Sequence, residues 1–131
     1  MAWPVPGHYK ISCGYLGYTN HFGVDIVGSS SGAIENKPAV AANSGKVIIS
    51  RDLTSGGRYI SYGRYIVIDH GGGVTTLYAH LNQRNVKEGD TVEKGQTIGL
   101  VGNTGNSSGP HLHFEVRING SAVNPMGYIS K

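Results

Sequence analysis

The sequence predicts an all-β fold, mainly antiparallel and with little helix. Residues 111–118 alternate polar and apolar side chains without interruption, as expected of a strand with one buried face. The chain has 21 glycines spread among many short apolar runs, a composition that favours short strands and tight turns. No segment shows the 3.6-residue apolar period of an amphipathic helix.

The predicted strand at 111–118 carries its polar side chains on one face. His111, His113 and Glu115 share that face, while aliphatic and aromatic residues fill the face that would be buried. The two histidines lie one pleat apart, about 6–7 Å between Cα atoms, with both rings on the same side. One ring could therefore bind a metal ion while the other reaches whatever the metal holds.

A second predicted strand, residues 21–27, has the same alternation. His21 and Asp25 fall on its polar face. A flat strand would separate their Cα atoms by about 13 Å, which is awkward for a shared metal ion. Gly23 lies between them, and a bend or bulge at this glycine would bring the two side chains together.

Turn residues and β-branched runs predict the remaining elements. The predicted segments are an extended lead-in at 1–20, a polar loop at 28–37, strands at 45–49 and 65–70, a long hairpin loop at 52–64 and a returning strand at 74–81. Three glycines at 71–73 supply the turn before the returning strand. His80 lies near the end of that strand, where a side chain can project into a cleft.

Residues 86–99 contain two short predicted strands separated by Gly-Asp and Lys-Gly turns. This segment resembles the half-barrel of biotinyl- and lipoyl-carrier domains and of the barrel-sandwich hybrid fold generally. We therefore expect a barrel-sandwich hybrid or duplicated hybrid-motif sheet with a groove. Lys94 does not lie at the hairpin tip where a carrier domain is modified, so the resemblance concerns the fold alone.

The composition indicates one folded domain over residues 1–131. Hydrophobic residues make up 38% of the chain and charged residues only 15%, which is unlike a disordered segment. The net charge of +3 comes from scattered lysines and arginines, without the basic stripe of a nucleic-acid-binding protein. No apolar run approaches the ~18 residues of a membrane span, and nothing in the sequence indicates an oligomeric state.

Cysteine content and the N-terminus bear on the setting of the chain. Cys13 is the single cysteine, so an internal disulfide is impossible, and we expect a small buried residue there. The N-terminus lacks the basic start and apolar segment of a signal peptide. The chain is accordingly expected to be cytoplasmic, or trimmed from a longer protein, or part of an assembly exported by another route.

Five residues at site-facing positions have the chemistry of a catalytic zinc centre: His21, Asp25, His80, His111 and His113. Catalytic zinc uses three protein ligands and leaves a position for water, whose pKa falls towards about 7. The two remaining residues could serve as a base and as a donor to the oxyanion, which hydrolysis also needs. The His-Glu-x-x-His motif of zincins and the Pro-Cys-x-x-Cys motif of zinc deaminases are both absent.

Three motifs, in this order, resemble the lysostaphin-type (LytM-like) zinc metallopeptidases of bacterial cell walls. They are His21-x-x-x-Asp25, Tyr78-Ala79-His80-Leu81 and the run at 109–115 that contains His111 and His113. The resemblance extends over residues 3–128, including the segment at 86–92 and the closing Val123-Asn124-Pro125.

This resemblance implies a role for each of the five residues. His21, Asp25 and His113 would bind one Zn²⁺ ion, and His80 and His111 would flank the metal-activated water and the scissile carbonyl. The substrate would be peptidoglycan stem peptides or cross-bridges, cut at Gly-Gly or D-Ala-containing links. The protein would then act at the bacterial cell wall, either on a phage tail or as a domain of a secreted or envelope protein.

Further positions support or depart from the family pattern. Glu115 shares the face of His113, and we expect it to orient that ring. Tyr78 and Asn106 are additional candidates for contacts with the ligands or the substrate. No arginine precedes His21, where family members commonly carry Gly-x-Arg, and the predicted loops flanking the groove are longer than in compact members.

Three alternatives remain to be weighed. A non-catalytic LytM-like activator or wall-binding domain would have lost metal ligands, whereas all five positions are kept here. A carrier or phosphotransferase domain would need a modifiable lysine or a phosphoryl-accepting histidine rather than His-x-x-x-Asp. A cysteine peptidase using Cys13 is disfavoured because no helix begins after Cys13 to lower the pKa of its thiol.

Overall fold

The computed structural model describes residues 1–17, 21–30, 33–105, 107 and 109–131. Within these ranges the chain is almost entirely β, and its one helical segment is a 3-10 turn at Pro125–Gly127. The strands of the described residues are β1 Lys10–Cys13, β2 Val24–Val27, β3 Pro38–Val40, β4 Gly45–Ser55, β5 Arg58–Gly71, β6 Val74–Ala79, β7 Leu81–Arg84, β8 Thr91–Val92, β9 Thr97–Val101, β10 Leu112–Ile118 and β11 Ser121–Val123.

These strands form two antiparallel sheets around a shared core. The larger sheet has the order β1-β2-β10-β6-β5-β4-β8, with β11 also paired to β10, and the smaller has the order β3-β9-β7. Buried residues of both sheets, such as Ile66, Leu81 and Phe114, belong to one hydrophobic cluster. The mainly antiparallel all-β prediction is confirmed. None of the helical structure described is long and apolar enough to cross a membrane.

Strand β10 lies inside the larger sheet and has the predicted alternation. Leu112, Phe114 and Val116 are fully buried in the core. On the opposite face, His113 is directly paired with Asp25 of β2. A register slip of one residue would turn the histidine face into the core, so burial of the apolar face fixes which side chains meet at the site.

The predicted strand at 21–27 is shorter than expected, because β2 begins only at Val24. Gly23 forms a bend and passes so close to β10 that a Cβ atom would collide with the carbonyl oxygen of Phe114. The same Cβ would lie 3.0 Å from the His113 ring. The bend expected at Gly23 is therefore present, and only glycine leaves room for it.

The N-terminal segment is more ordered than the predicted lead-in. Trp3 and Val5 are buried in the core, and Ala2 forms a parallel bridge with Ser130. Residues 10–13 then form the edge strand β1. The lead-in prediction is wrong for these residues because isolated apolar side chains between prolines do not reveal, in sequence, that they fill a distant core.

The long loop predicted at 52–64 is instead an extension of the β4–β5 hairpin, here called the hairpin arm. Strand β4 runs to Ser55 and β5 begins at Arg58, which leaves a two-residue turn. Gly56 and Gly57 occupy the turn with φ of 59° and 80°, values that suit a tight hairpin. The prediction is wrong because a Gly- and Ser-rich composition concealed cross-strand pairing.

Candidate metal centre and active site

Two of the predicted site histidines, His21 and His113, meet at the carboxylate of a third predicted site residue, Asp25. The Oδ1 atom of Asp25 lies 3.1 Å from Nε2 of His21 and 2.9 Å from Nδ1 of His113. The two imidazole rings are 5.1 Å apart between centroids. The side chains of His21, Asp25 and His113 are only 3%, 13% and 9% exposed. The structure thus brings together the three residues that the sequence motifs singled out.

Hydrogen bonds on the far side of each ring determine which nitrogen faces Asp25. His21 donates from Nδ1 to the carbonyl oxygen of Gly14 at 2.7 Å, and since a carbonyl can only accept, Nδ1 carries the proton. In His113 the two nitrogens are exchanged: Nε2 lies 2.8 Å from Oε2 of Glu115, and Nδ1 faces Asp25. In their neutral forms, both rings direct a lone pair towards Asp25, as metal-binding histidines do.

The donor set fits a zinc ion. In a tetrahedral site, zinc–ligand distances of about 2.0–2.1 Å place neighbouring donor atoms about 3.3 Å apart. The separations of 3.1 and 2.9 Å around Asp25 lie just below this value, because here the carboxylate contacts the imidazoles directly. Two imidazoles and a carboxylate are ligands that zinc takes, so His21, Asp25 and His113 could hold zinc, and three protein ligands would leave one coordination position open.

His80 and His111 form a second pair beside this cluster. Their rings are 4.7 Å apart, and Nε2 of His111 lies 3.7 Å from Oδ1 of Asp25. His80 lies between β6 and β7 with a φ of 65°, a left-handed conformation that is uncommon for a residue with a side chain. Such backbone strain concentrates at functional sites.

Backbone carbonyls also fix the protons of this second pair. His80 donates from Nδ1 to the carbonyl oxygen of Thr104 at 2.6 Å, and His111 donates from Nδ1 to that of Gly109 at 2.8 Å. The Ser107 hydroxyl lies 3.1 Å from the same His111 nitrogen and donates to Gly109. Each neutral ring consequently keeps Nε2 as a proton acceptor, which a general base requires.

Burial and neighbouring charges set the protonation of the cluster. Burial lowers the pKa of His80 to about 4, so this ring is neutral at pH 7. Burial also acts to lower the pKa of His113, but hydrogen bonds to Asp25 and Glu115 outweigh it and raise the pKa to about 9. For Asp25, burial opposes ionisation, yet the hydrogen bond from His113 prevails and the pKa is lowered. Metal binding at His113 would displace its proton.

Glu115 contacts His113 as the sequence predicts, and it lies at the centre of a buried network. The carboxylate is 1% exposed and also accepts hydrogen bonds from Arg117, at 2.8 and 2.6 Å, and from the Tyr62 hydroxyl, at 2.5 Å. These donors compensate a buried charge that would otherwise be costly. Alternation along β10 could have indicated Arg117, but Tyr62 has no signal because it lies 53 positions from Glu115.

Tyr78 lies in the core and does not contact the site. It is fully buried, its ring is 5.3 Å from that of Phe114, and its hydroxyl accepts a hydrogen bond from the amide of Ala42 at 2.9 Å. The prediction of a site contact is wrong because Tyr78 is paired with Phe114 on the core face of β6 and β10. Asn106, the other additional candidate, lies outside the described residues.

Cys13, expected to be buried, is half-buried at the margin of the site. Its Sγ atom lies 3.5 Å from Nδ1 of His21, the nitrogen that faces away from Asp25. Donor atoms of Cys13, His21 and Asp25 all lie within 4.8 Å of one another. Burial, and then the charge of Asp25, raises the pKa of the thiol, which disfavours the thiolate of a cysteine peptidase.

Comparison with known proteins identifies the family, since the model of peptidase family M23 matches residues 19–125 and the chain belongs to this family. The DD-carboxypeptidase/endopeptidase Mpg of Neisseria meningitidis is 53% identical over 74 residues, 56% of this chain and 17% of Mpg. The peptidoglycan DD-endopeptidase ShyA of Vibrio cholerae is 42% identical over 89 residues, 68% of this chain and 19% of ShyA. The murein hydrolase activator NlpD of Salmonella typhimurium is 36% identical over 127 residues, 97% of this chain and 30% of NlpD.

Solved structures agree with this assignment. A zinc-containing peptidase from Vibrio cholerae superposes with a TM-score of 0.80 at 33% identity, over 95% of this chain and 38% of that one. Lysostaphin from Staphylococcus simulans superposes with a TM-score of 0.76 at 35% identity, over 92% of this chain and 48% of lysostaphin. The resemblance to lysostaphin-type peptidases is confirmed. The chain spans less than a third of the length of the three relatives named above.

Proposed function

We propose that this chain is a zinc-dependent endopeptidase that hydrolyses peptide bonds in peptidoglycan. The observation that carries the proposal is the convergence of His21, Asp25 and His113 beside two further histidines that keep Nε2 as a proton acceptor. Three ligands and two adjoining bases are the set that metal-assisted hydrolysis needs, whereas a structural zinc site is closed by four ligands. Membership of peptidase family M23 supports the same conclusion.

The residues would divide into metal ligands and proton carriers. His21, Asp25 and His113 would hold zinc, which when bound supplies Lewis-acid activation of the scissile carbonyl and of the attacking water. His80 or His111 would accept one proton of that water at Nε2 and return the same proton to the departing amine. Because both rings already donate from Nδ1 to a carbonyl, protonation at Nε2 requires no ring rotation.

The bond we favour lies next to D-alanine in a stem-peptide cross-link, rather than in a Gly-Gly bridge. Mpg and ShyA, both named as DD-peptidases, support this choice, with 53% identity over 56% of this chain and 42% identity over 68% of it; lysostaphin shares 35% identity over 92% of the chain. Such a substrate would place the activity at the bacterial cell wall, either within the envelope or on a virion.

The second candidate function is activation of other wall hydrolases, favoured by the likeness to NlpD over 97% of this chain. An activator needs the fold and a binding surface but no complete metal centre. Here the ligand cluster and both proton carriers are present, with every imidazole held by a carbonyl or carboxylate. We therefore favour catalysis and treat activation as the alternative outcome of the test.

The test is digestion of two purified cross-linked substrates, one joined through D-Ala–diaminopimelate and one through pentaglycine, followed by mass analysis. We expect the zinc-loaded protein to cut the D-Ala link, a chelator to stop cleavage and added zinc to restore it. His80→Ala should lose at least about 100-fold in turnover. His8→Ala, which changes a histidine outside the cluster, should retain full activity and serves as the matched control.

Two results would count against catalysis. Undiminished cleavage by zinc-free protein would contradict the metal-dependent mechanism. Protein that binds zinc and cuts neither substrate, yet stimulates a separate wall hydrolase, would assign the activator function instead.

A further inference from the structure

A cavity of about 260 Å³ opens beside the candidate active site, at one end of strands β1, β2 and β10. Its walls are Lys10 of β1, Val27 at the end of β2, residues 28–30 of the following turn, and Gly109 and Pro110 before β10. None of these residues is among the metal ligands or the proton carriers. The cavity is therefore a separate feature that adjoins the site.

Strand register places this cavity on the same face of the sheet as the catalytic histidines. Lys10 is paired directly with Val27, and Ile26 with Leu112. Val27 follows the buried Ile26 and so lies on the same face of β2 as Asp25, which is paired with His113. Lys10 and Val27 thus lie on the histidine-bearing face, and two strand spacings put Lys10 about 10 Å at Cα from the start of β10, which His111 immediately precedes.

The cavity wall is also hydrogen-bonded to the catalytic residue nearest to it. The carbonyl oxygen of Gly109 accepts the Nδ1 proton of His111 at 2.8 Å. The Ser107 hydroxyl donates to the same carbonyl at 2.9 Å. A substrate group held against Gly109 and Pro110 would consequently have a defined position relative to His111.

The chemistry of the lining suits an anion. Lys10 is the one charged residue among those that line the cavity, and its side chain is exposed. No carboxylate of the described residues lies within 4.0 Å of its ammonium group. Ser29 and Ser30, also exposed, add hydroxyl groups to the lining. An ammonium group with nearby hydroxyls is a set that a carboxylate can use fully.

We propose that this cavity is a subsite that binds a carboxylate of the peptide substrate through Lys10. The inference rests on the proposed function, because it assumes that the substrate is a stem peptide of peptidoglycan. Such peptides carry carboxylates on side chains and at their ends. At about 3.3 Å per extended residue, a span of about 10 Å puts the recognised carboxylate within about three residues of the scissile bond.

The experiment compares soluble cross-linked stem peptides that differ only in having one carboxylate converted to a carboxamide. Each side-chain carboxylate and the terminal carboxylate is converted in turn, which identifies the source of the recognised group. At one position we expect the carboxamide to lower kcat/KM about tenfold, because it forfeits a charge-assisted hydrogen bond. Lys10→Gln should lower kcat/KM for the acid to the value of the amide, mainly through KM. Lys46→Gln, an exposed lysine on β4, should retain the preference.

Binding to the His111→Ala variant separates this inference from the proposed function. Cleavage without any preference for an acid, or a preference retained by Lys10→Gln, would overturn the subsite and leave the endopeptidase intact. Acid-selective binding that depends on Lys10 but leads to no cleavage in the wild type would support the subsite and overturn the endopeptidase. Absence of both binding and cleavage would overturn the two proposals together.

Discussion

The proton positions of the four site histidines depend on hydrogen bonds that each ring makes away from the cluster. Gly14, Thr104 and Gly109 supply carbonyl oxygens for His21, His80 and His111, all at 2.6 to 2.8 Å. The sequence could indicate the histidines because imidazole types and motif spacing are visible in it. It could not indicate the carbonyls, since every residue has one and only the folded loops decide which is near.

Replacing Tyr62 by phenylalanine tests the hydrogen-bond network around Glu115, beside the candidate metal centre. Tyr62 donates to Glu115 at 2.5 Å and its ring stacks 5.8 Å from that of His113. Phenylalanine keeps the stacking and removes the donor, so Glu115 should hold His113 less firmly. We expect zinc affinity to fall about tenfold, as is typical when a group that supports a metal-binding histidine is lost. Competition with a chromophoric chelator measures this change.

Tyr65→Phe is the matched control for this substitution. Tyr65 lies 5.5 Å from Tyr62, between ring centroids, on the same strand. The Tyr65→Phe variant should bind zinc with the affinity of the wild type. Equal zinc affinity in Tyr62→Phe and Tyr65→Phe would contradict a positioning role for the Tyr62 hydroxyl.

At the scale of elements, the hairpin arm joins the two sheets to the site. Arg64 donates to the carbonyl oxygen of Asn82 and, at 3.1 Å, to Asp52. Arg84 of β7 reaches the same Asp52 carboxylate at 2.9 Å. The carbonyl of Tyr62 accepts the amide proton of His80 at 2.9 Å. The arm is thus tied to both sheets and holds the backbone of His80.

Gly63 is the position in the arm where a side chain would do most harm. Its φ is 62°, and a Cβ atom would lie 2.5 Å from the carbonyl carbon of Thr104. The Thr104 carbonyl holds His80, so Gly63→Ala should both strain the backbone and displace that acceptor. We expect a loss of about 2–4 kcal/mol in the free energy of unfolding and at least a tenfold loss of cleavage. Denaturant unfolding and peptide cleavage give the two values.

Gly57→Ala separates backbone strain from crowding. Gly57 also has a positive φ, 80°, but a Cβ there would meet no atom within 4 Å. Gly57→Ala should lower the free energy of unfolding by only about 1–2 kcal/mol and leave cleavage unchanged. If Gly63→Ala cuts substrate as fast as Gly57→Ala, the contact between the arm and Thr104 does not position His80.

At the scale of the whole molecule, one face of the larger sheet packs in the core and the other carries Asp25, His113 and Glu115, as an antiparallel sheet allows. The alternation of β10 predicted this division. It could also predict that His111, His113 and Glu115 share a face, because side-chain parity is local information. The same parity argument placed Leu112 and Phe114 in the core, where they lie.

The features that the sequence could not predict depend on contacts between distant segments. Asp25 and His113 are 88 positions apart and meet only because β2 pairs with β10. The sequence motif places Tyr78 two residues before His80, which suggested that both lie at the site. The left-handed backbone at His80 interrupts the strand, however, and Tyr78 is buried in the core. The strand pairing of the hairpin arm could not be predicted because its residues have a turn-like composition and pair only with each other.

The division of roles between His113 and His111 is tested most directly by measuring zinc content and turnover together in His113→Ala and His111→Ala. The two residues lie one pleat apart on one face, yet His113 is proposed to bind the metal and His111 to transfer a proton. His113→Ala should lose both zinc and cleavage, whereas His111→Ala should keep about one zinc per chain and lose cleavage by at least about 100-fold. Equal loss of zinc from both variants, or retained cleavage in His113→Ala, would contradict this division of roles.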